Sequence, residues 1–283
     1  MKKIKKVMIA FVLGALVMSV YGCGKKPSSS SNESVKKIQV ATSGTPKPFN
    51  FVGSDNKPTG FEIDLLKKID EQLPDYDFQY NVTEFGSLFP GLDSKRYDLV
   101  INNLSRSKER EAKYVVSKQS YFEAPIVLIV NEDNKNVKSI DDIGGLRIPA
   151  GSGRANALFL EDYNKKNSNN PVKINYTDSG ADQLLIDLHN NRYDAAIYSE
   201  TYVDYVEKEY GYKYKIINLS PEQQKQLNGN SPAWIFYNQD DKKLRDEVDK
   251  VLKKFTQDGT LSNLSKKWFN GKDYSRNLPV SEK

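Results

Sequence analysis

Apolar positions along this chain recur with two different periods, and the periods alternate. Lys37 to Thr42 alternates as a half-buried strand, and Leu99-Val100-Ile101 is a continuous apolar run of the kind found in buried parallel strands. Glu62 to Leu73 places Leu65, Leu66, Ile69 and Leu73 on one helical face. Asp241 to Phe255 does the same with Leu244, Val248, Leu252 and Phe255. Gly259 is a stop signal for that second helix, and Leu261, Leu264 and Trp268 predict a short helix after it. Strand and helix patterns in alternation predict an α/β fold.

One pattern occurs twice. Leu92-x-x-x-Arg96-Tyr97-Asp98-x-x-Ile101 returns as Leu188-x-x-x-Arg192-Tyr193-Asp194-x-x-Ile197. Each copy reads as a helix end, a turn and a buried strand. A generic helix–strand junction gives the same match; the other reading is two lobes of similar construction. In that case the loops after the two strands, Asn102 to Ser105 and Tyr198 to Thr201, face each other across a cleft. About 245 residues are available for folding, enough for two lobes. The connection from Ser220 to Pro232 reads as a long polar segment before a return strand.

The first copy leads into the most informative loop. After Ile101 come Asn102, Asn103, Leu104 and Ser105, then a helix start at Ser107 with Glu109 in its first turn and Arg110 beside it. Ligands of open α/β sheets sit beyond the carboxyl ends of the strands. A guanidinium grips a carboxylate through two parallel hydrogen bonds, so Arg110 is a candidate carboxylate clamp. The competing reading is a solvated arginine at a helix end.

The N-terminus has a different character. Lys2, Lys3, Lys5 and Lys6 precede an apolar run from Val7 to Val20, too short for a membrane span and shaped like a signal peptide. Cys23, the only cysteine, follows Val20-Tyr21-Gly22, and a Ser- and Lys-rich arm follows it. With one cysteine there is no internal disulfide. The formal net charge is +5, of which the four leader lysines supply four. Lys25, Lys26, Lys36 and Lys37 against Glu33 contribute a further +3, leaving the globular body at −2. A nucleic-acid binder keeps its basic charge on the folded part, so the composition argues against that partner.

Several segments together resemble the extracellular solute-binding proteins of polar amino-acid ABC transporters. They are Lys47-Pro-Phe-Asn-Phe, Thr59-Gly-Phe-Glu-Ile-Asp-Leu, the stretch from Phe85 through Arg110 to Phe122, Ala150-Gly-Ser-Gly, Arg192-Tyr-Asp-Ala-Ala, Gln257-Asp-Gly-Thr and Lys266-Lys-Trp. The resemblance covers essentially the whole chain after Val35. It implies a two-lobe periplasmic-binding-protein-like fold (type II), each lobe an α/β sheet with helices, hinged by two crossing strands. The boundaries it implies are 1–22 for a lipoprotein signal peptide, 23–37 for a tether, 38–125 plus 234–274 for lobe one, 126–233 for lobe two and 275–283 for a tail. The crossings fall near Ala124 to Leu128 and Gly229 to Ile235. The leader resembles a bacterial lipoprotein signal in which Cys23 is lipidated, and Tyr21 is unusual just before the Gly-Cys pair. The expected setting is the extracellular face of a cell membrane, in a Gram-positive cell, as a lipid-anchored monomer serving an ABC permease, with no cofactor and no metal.

Carried over residue by residue, the resemblance makes Arg110 the carboxylate arginine and Ser105 the loop serine that meets the ligand's charged ends. Asn102 and Asn103 fall at small polar pocket positions, and Phe85 at a position where an aromatic packs on the ligand. Ser152 and Gly153 precede a helix whose backbone N–H groups suit an anion. Two positions depart from the family pattern. Pro46 stands where an aromatic is common, so Phe49 or Phe51 is the expected substitute. Ser199 stands where many members carry an aspartate for the ligand ammonium, so Glu200, or carbonyls and waters, must serve. Glu109-Arg-Glu-Ala-Lys-Tyr, Leu160-Glu-Asp-Tyr-Asn-Lys-Lys-Asn and Asp194-Ala-Ala-Ile-Tyr-Ser-Glu resemble the Gram-positive branch that binds L-cystine and related sulfur amino acids.

The rival class is an enzyme on the same fold, such as an amino-acid dehydratase or a cell-wall lytic enzyme. It needs an acid or base in the cleft, and Glu200 is the lobe-two carboxylate expected there. His189, at a helix end, is the lone histidine. A sensor or adhesin reusing the lobes is a third class.

Overall fold

The computed structural model describes residues Val35 to Ser281. The expected signal peptide, Cys23 and nearly all of the tether lie outside the described residues. The chain enters on β1 (Lys36–Thr42), so Lys36 and Lys37 of the expected tether already belong to a strand. A small hairpin, β2 (Phe51–Val52) with β3 (Pro58–Thr59), leads into α1 (Phe61–Asp70) and β4 (Tyr76–Val82). Then come a 3-10 turn (Phe85–Ser87), α2 (Leu88–Asp93), β5 (Leu99–Leu104), α3 (Lys108–Lys113) and β6 (Val115–Val116). The apolar run predicted at Leu99 thus continues through Asn102 to Leu104 before the chain turns.

The second lobe opens with β7 (Ile126–Asn131) and a 3-10 turn (Ile140–Ile143), followed by β8 (Arg147–Ala150) and α4 (Ala155–Lys166). It continues through β9 (Lys173–Tyr176), α5 (Ala181–His189), β10 (Ala196–Ser199), α6 (Glu200–Tyr210), β11 (Tyr214–Asn218) and α7 (Pro221–Gln226). The chain then returns as β12 (Trp234–Tyr237), α8 (Lys242–Gln257) and α9 (Thr260–Trp268).

The first sheet has the order β4-β1-β5-β12-β6. β4, β1 and β5 run parallel, and β12 inserts antiparallel between β5 and β6, so the returning chain completes the sheet it left. Alternation along the strands sends Ile38, Val40, Leu99 and Ile101 to the face covered by α1, α8 and α9. Ala41, Val100 and Phe236 go to the other face, against Leu88 and Leu92 of α2. On α8, Leu244, Val248, Val251, Leu252 and Phe255 form the buried stripe, and Gly259, at φ 82, ends that helix and starts α9.

The second lobe carries the sheet β10-β7-β11, whose strands pair antiparallel, and the parallel pair β8-β9. Leu128 and Val130 face one core with Phe159 and Leu160 of α4. Val127 and Ile129 face the other, with Leu185 of α5 and Val203 of α6. The two passages between the sheets lie side by side, tied by a bridge between Phe122 and Ala233. The polar connection from Ser220 to Pro232 is not all loop, since it contains α7. Its signal was present: Ser220 caps Gln223 N, Gln223 returns a bond to Ser220 N, and Pro221 takes the first helical position. At the other end of the chain, Val280 bridges to Gln119 along the edge of lobe one.

Candidate functional site

Six strand ends converge on one cavity of about 890 Å³. The segment after β1 contributes Gly44 to Lys47, the segment after β4 Phe85, and the end of β5 Asn102 to Ser105 with Arg110. From the second lobe come Arg154 after β8, Asp178 to Asp182 after β9, Tyr198 near the end of β10 and Tyr202 in the first turn of α6. Loops beyond the carboxyl ends of strands are where an α/β sheet leaves room for a ligand.

Lobe one builds its wall from beneath. Asn102 is buried, and its Oδ1 accepts from Thr42 Oγ1 (3.0 Å), Ser43 N (2.7 Å) and Ser43 Oγ (2.9 Å), while its Nδ2 donates to Thr45 O (3.1 Å). Its side chain therefore fixes the loop after β1. Asn103 adopts φ 48, a left-handed conformation that asparagine tolerates. Its N–H donates to Oε1 of Glu62, which also accepts from Tyr121 OH at 2.6 Å. Oε2 of Glu62 accepts from Asn50 Nδ2. Glu62 is fully buried, and desolvation pushes its carboxyl up to about 7 despite those donors.

Arg110 sits in the first turn of α3, which Ser107 caps by accepting from Arg110 N. Its guanidinium lies over the ring of Phe89 at 4.9 Å and donates from Nη1 to Ser105 O at 2.8 Å. Partial burial lowers its pKa from the usual arginine value. Among the described residues it has no carboxylate within ion-pair distance. A half-buried guanidinium held on one side by a ring and a carbonyl, with its charge unanswered, is prepared for an anionic ligand.

A family model for bacterial extracellular solute-binding proteins, family 3, matches residues 38–271. The chain belongs to that family. It is 31% identical over 268 residues to the L-cystine-binding protein TcyK of Bacillus subtilis (strain 168), covering 94% of this chain and 96% of TcyK. The solved structure of the probable amino-acid ABC transporter extracellular-binding protein ytmK from Bacillus subtilis superposes with a TM-score of 0.70 at 30% identity, over 83% of this chain and 97% of that one. A structure from Streptococcus mutans, described under glutathione import via GshT and the cystine ABC importer TcyBC, gives a TM-score of 0.67 at 33% identity, over 84% and 97%.

Within this solute-binding fold the expected site residues divide. Arg110, Ser105, Asn103, Asn102 and Phe85 line the one cavity. Phe49 does not: it is 1% exposed and packs on Phe122 and Phe269 inside lobe one. Phe85, 52% exposed, is the aromatic that faces open space. Ser152 and Gly153 lie on the exposed turn before α4 and are not part of the cavity wall; their neighbour Arg154 is. On α4, Phe159 is buried and Leu158 is exposed.

Ser199 is the N-terminal residue before α6, with its hydroxyl 3.0 Å from Thr201 Oγ1, and it too lies outside the cavity wall. Glu200 is committed elsewhere. Its Oε1 accepts from Lys272 Nζ at 2.6 Å, and the same ammonium pairs with buried Asp204 at 2.7 Å. Tyr274 OH donates to Asp204. Burial raises the Asp204 carboxyl to about 6. This cluster ties α6 of lobe two to the segment after α9 and engages Glu200 with Lys272, outside the cavity wall.

The carboxylates that do line the cavity, Asp178 and Asp182, have no ion-pair partner among the described residues. They escaped sequence reading because the Thr-Asp-Ser-Gly-Ala-Asp stretch resembles any polar loop before a helix; only its position at the end of β9 reveals it. Tyr198 does face the cavity, where burial raises its phenol pKa. His189 ends α5, with its ring stacked on Tyr212 at 3.8 Å and outside the cavity wall.

Proposed function

We propose that this chain is the substrate-binding lipoprotein of an amino-acid ABC importer, that it captures L-cystine or a related sulfur amino acid by closing its two lobes, and that it delivers the ligand to a membrane permease. The observation that carries the reading is Arg110: a guanidinium without a carboxylate partner among the described residues, in a cavity walled by both lobes, on a chain that belongs to a solute-binding family. Arg110 and Ser105 take the ligand's α-carboxylate. Asp178 and Asp182 take its ammonium, the role first expected of Glu200. Phe85, Tyr198 and Tyr202 pack on the body of the ligand. The likeness to TcyK over 94% of this chain supports cystine as the ligand.

Closure follows from contact with both lobes, because a ligand that touches both binds the closed state better and shifts the population toward it. The chain acts as a monomeric receptor rather than an enzyme: the carboxylates facing the cavity are placed to balance a ligand's charge. Cys23 carries the lipid anchor on the outer face of the membrane, where two or more acyl chains hold stably. Calorimetric titration of the purified protein, stripped of bound ligand by partial unfolding, tests the reading. Saturable one-to-one binding of L-cystine without turnover is expected. Absence of heat with L-cystine and with every other amino acid overturns it.

A further inference from the structure

The charges around the cavity do not match a simple amino acid. Three cations line it: Lys47, Arg110 and Arg154. Lys47 lies 5.3 Å from the Phe51 ring centroid and 6.0 Å from that of Tyr205 and, like Arg110 over Phe89, keeps its charge. Arg110 and Arg154 stand on opposite lobes, and among the described residues neither has a carboxylate within 4 Å. Two acids, Asp178 and Asp182, share the wall and are equally unpaired. Three cations and two carboxylates thus face one space of about 890 Å³ with no ion pair between them among the described residues.

An ordinary α-amino acid presents one carboxylate and one ammonium. It brings no second carboxylate to a wall that already carries one more cation than acid, and excess positive charge is costly when the lobes close and water is expelled. A molecule with two carboxylates answers both arginines. Arg154 is held for such a role. Its side chain folds over Gly151, where a Cβ would come 2.4 Å from its Cδ, and its charge lies near the phenols of Tyr198 and Tyr202. Gly151 therefore serves as the floor on which the Arg154 stem rests.

We propose that Arg154 is a specificity residue that reads a second carboxylate, so that the site selects double-headed ligands over single-headed amino acids. This deepens the amino-acid-binding reading above and rests on it. L-cystine has the required chemistry, and so does a small peptide such as glutathione; the shared feature is two carboxylates on a chain carrying an ammonium. Arg110 takes the first carboxylate from lobe one and Arg154 the second from lobe two, so a double-headed ligand bridges the lobes through charge.

The test compares pairs of probes that differ by one carboxylate. L-cystine is set against the mixed disulfide of cysteine and cysteamine, and glutathione against its glycine amide. Affinities are measured by calorimetry for the natural protein, Arg154→Gln and Gly151→Ala. The natural protein should prefer the double-headed member of at least one pair by about 30-fold or more, as for loss of one partner of a buried charge pair. Arg154→Gln should reduce that preference to below about threefold, and Gly151→Ala, which displaces the Arg154 stem, should reduce it in the same direction. Because Arg154 is exposed, thermal unfolding of Arg154→Gln should match the natural protein. A preference that survives Arg154→Gln, or no preference in the natural protein, overturns the assignment while leaving cystine binding intact. Tighter binding of glutathione than of cystine, with the preference for glutathione over its glycine amide lost in Arg154→Gln, upholds the role of Arg154 and overturns the choice of cystine.

Discussion

The repeated Arg-Tyr-Asp junction is built the same way in both lobes and ends in different chemistry. In lobe one, Lys95 takes φ 57, Arg96 N donates to Gly91 O, and Asp98 exchanges two hydrogen bonds with the backbone of Gln39. In lobe two, Asn191 takes φ 59, Arg192 N donates to Asp187 O, and Asp194 exchanges the same two bonds with Arg147. Each aspartate therefore locks a strand start against the neighbouring strand. Beyond the strands the copies diverge. β5 runs on into Asn102 and Asn103 and hands the chain to α3 with Arg110. β10 ends at Ser199, where α6 begins at once, with Glu200 N held by Pro125 O and its side chain by Lys272. A shared scaffold places loops at the same mouth, and the residues just past the strand ends decide what each loop can bind.

The aromatic pair Phe49 and Phe85 gives the sharpest contrast between scaffold and site. Phe49→Ala removes a ring from the lobe-one core and should cost about 3–5 kcal/mol of stability. Phe85→Ala should leave stability within about 0.5 kcal/mol, as for an exposed side chain, and weaken ligand binding instead. Chemical denaturation of both variants checks this, and a Phe85 variant as unstable as the Phe49 variant breaks the distinction.

Arg110→Ala tests the lobe-one loop itself. Loss of one partner of a buried charge pair costs about 2–5 kcal/mol, so calorimetry should show affinity down by about 30-fold or more, with the fold retained. A loss below about threefold removes Arg110 from the site.

The two buried acids let the lobe-one loop be compared with the joint between lobes by pH. Glu62, under Asn103, is raised from 4.5 to about 7, and Asp204, at the joint, from 3.8 to about 6. In each case the folded protein holds a proton that the unfolded chain has released. Stability therefore falls as pH rises from each ordinary value towards the raised one, and levels off above it. The Glu62 contribution is on the order of 3 kcal/mol at most. Denaturation curves between pH 4.5 and 7 should slope less in Glu62→Gln than in the natural protein; an unchanged slope contradicts the buried-acid account.

The smaller effects lie in lobe two. Asp178→Asn with Asp182→Asn should weaken binding at least about tenfold, the loss of a counter-charge worth roughly 1.4 kcal/mol. Glu200→Gln, whose side chain serves Lys272, should change affinity less than about threefold. The reverse order in calorimetry restores Glu200 to the ammonium role.

Much of the scaffold was legible because periodicity reports burial. The faces of α1 and α8, the run at Leu99 and the stop at Gly259 all follow from residue spacing. The position of Arg110 beyond a strand was legible because Ser107 marks the helix start. Phe49 and Phe85 were not separable, since an aromatic residue carries no mark of which side of a wall it will occupy. The pairing of Glu200 was hidden for a related reason: Lys272 is distant in sequence and brought near by the fold. Arg154, Asp178 and Asp182 gain meaning from the convergence of β8 and β9 on the same mouth as β5, which no local window contains.

A ligand held between the lobes should draw them together. Small-angle X-ray scattering of the purified, ligand-stripped protein, with and without saturating L-cystine, tests it most directly. A smaller radius of gyration is expected in the bound state, with the change abolished in Arg110→Ala at the same ligand concentration. An unchanged radius of gyration at a concentration where calorimetry shows saturation would contradict it.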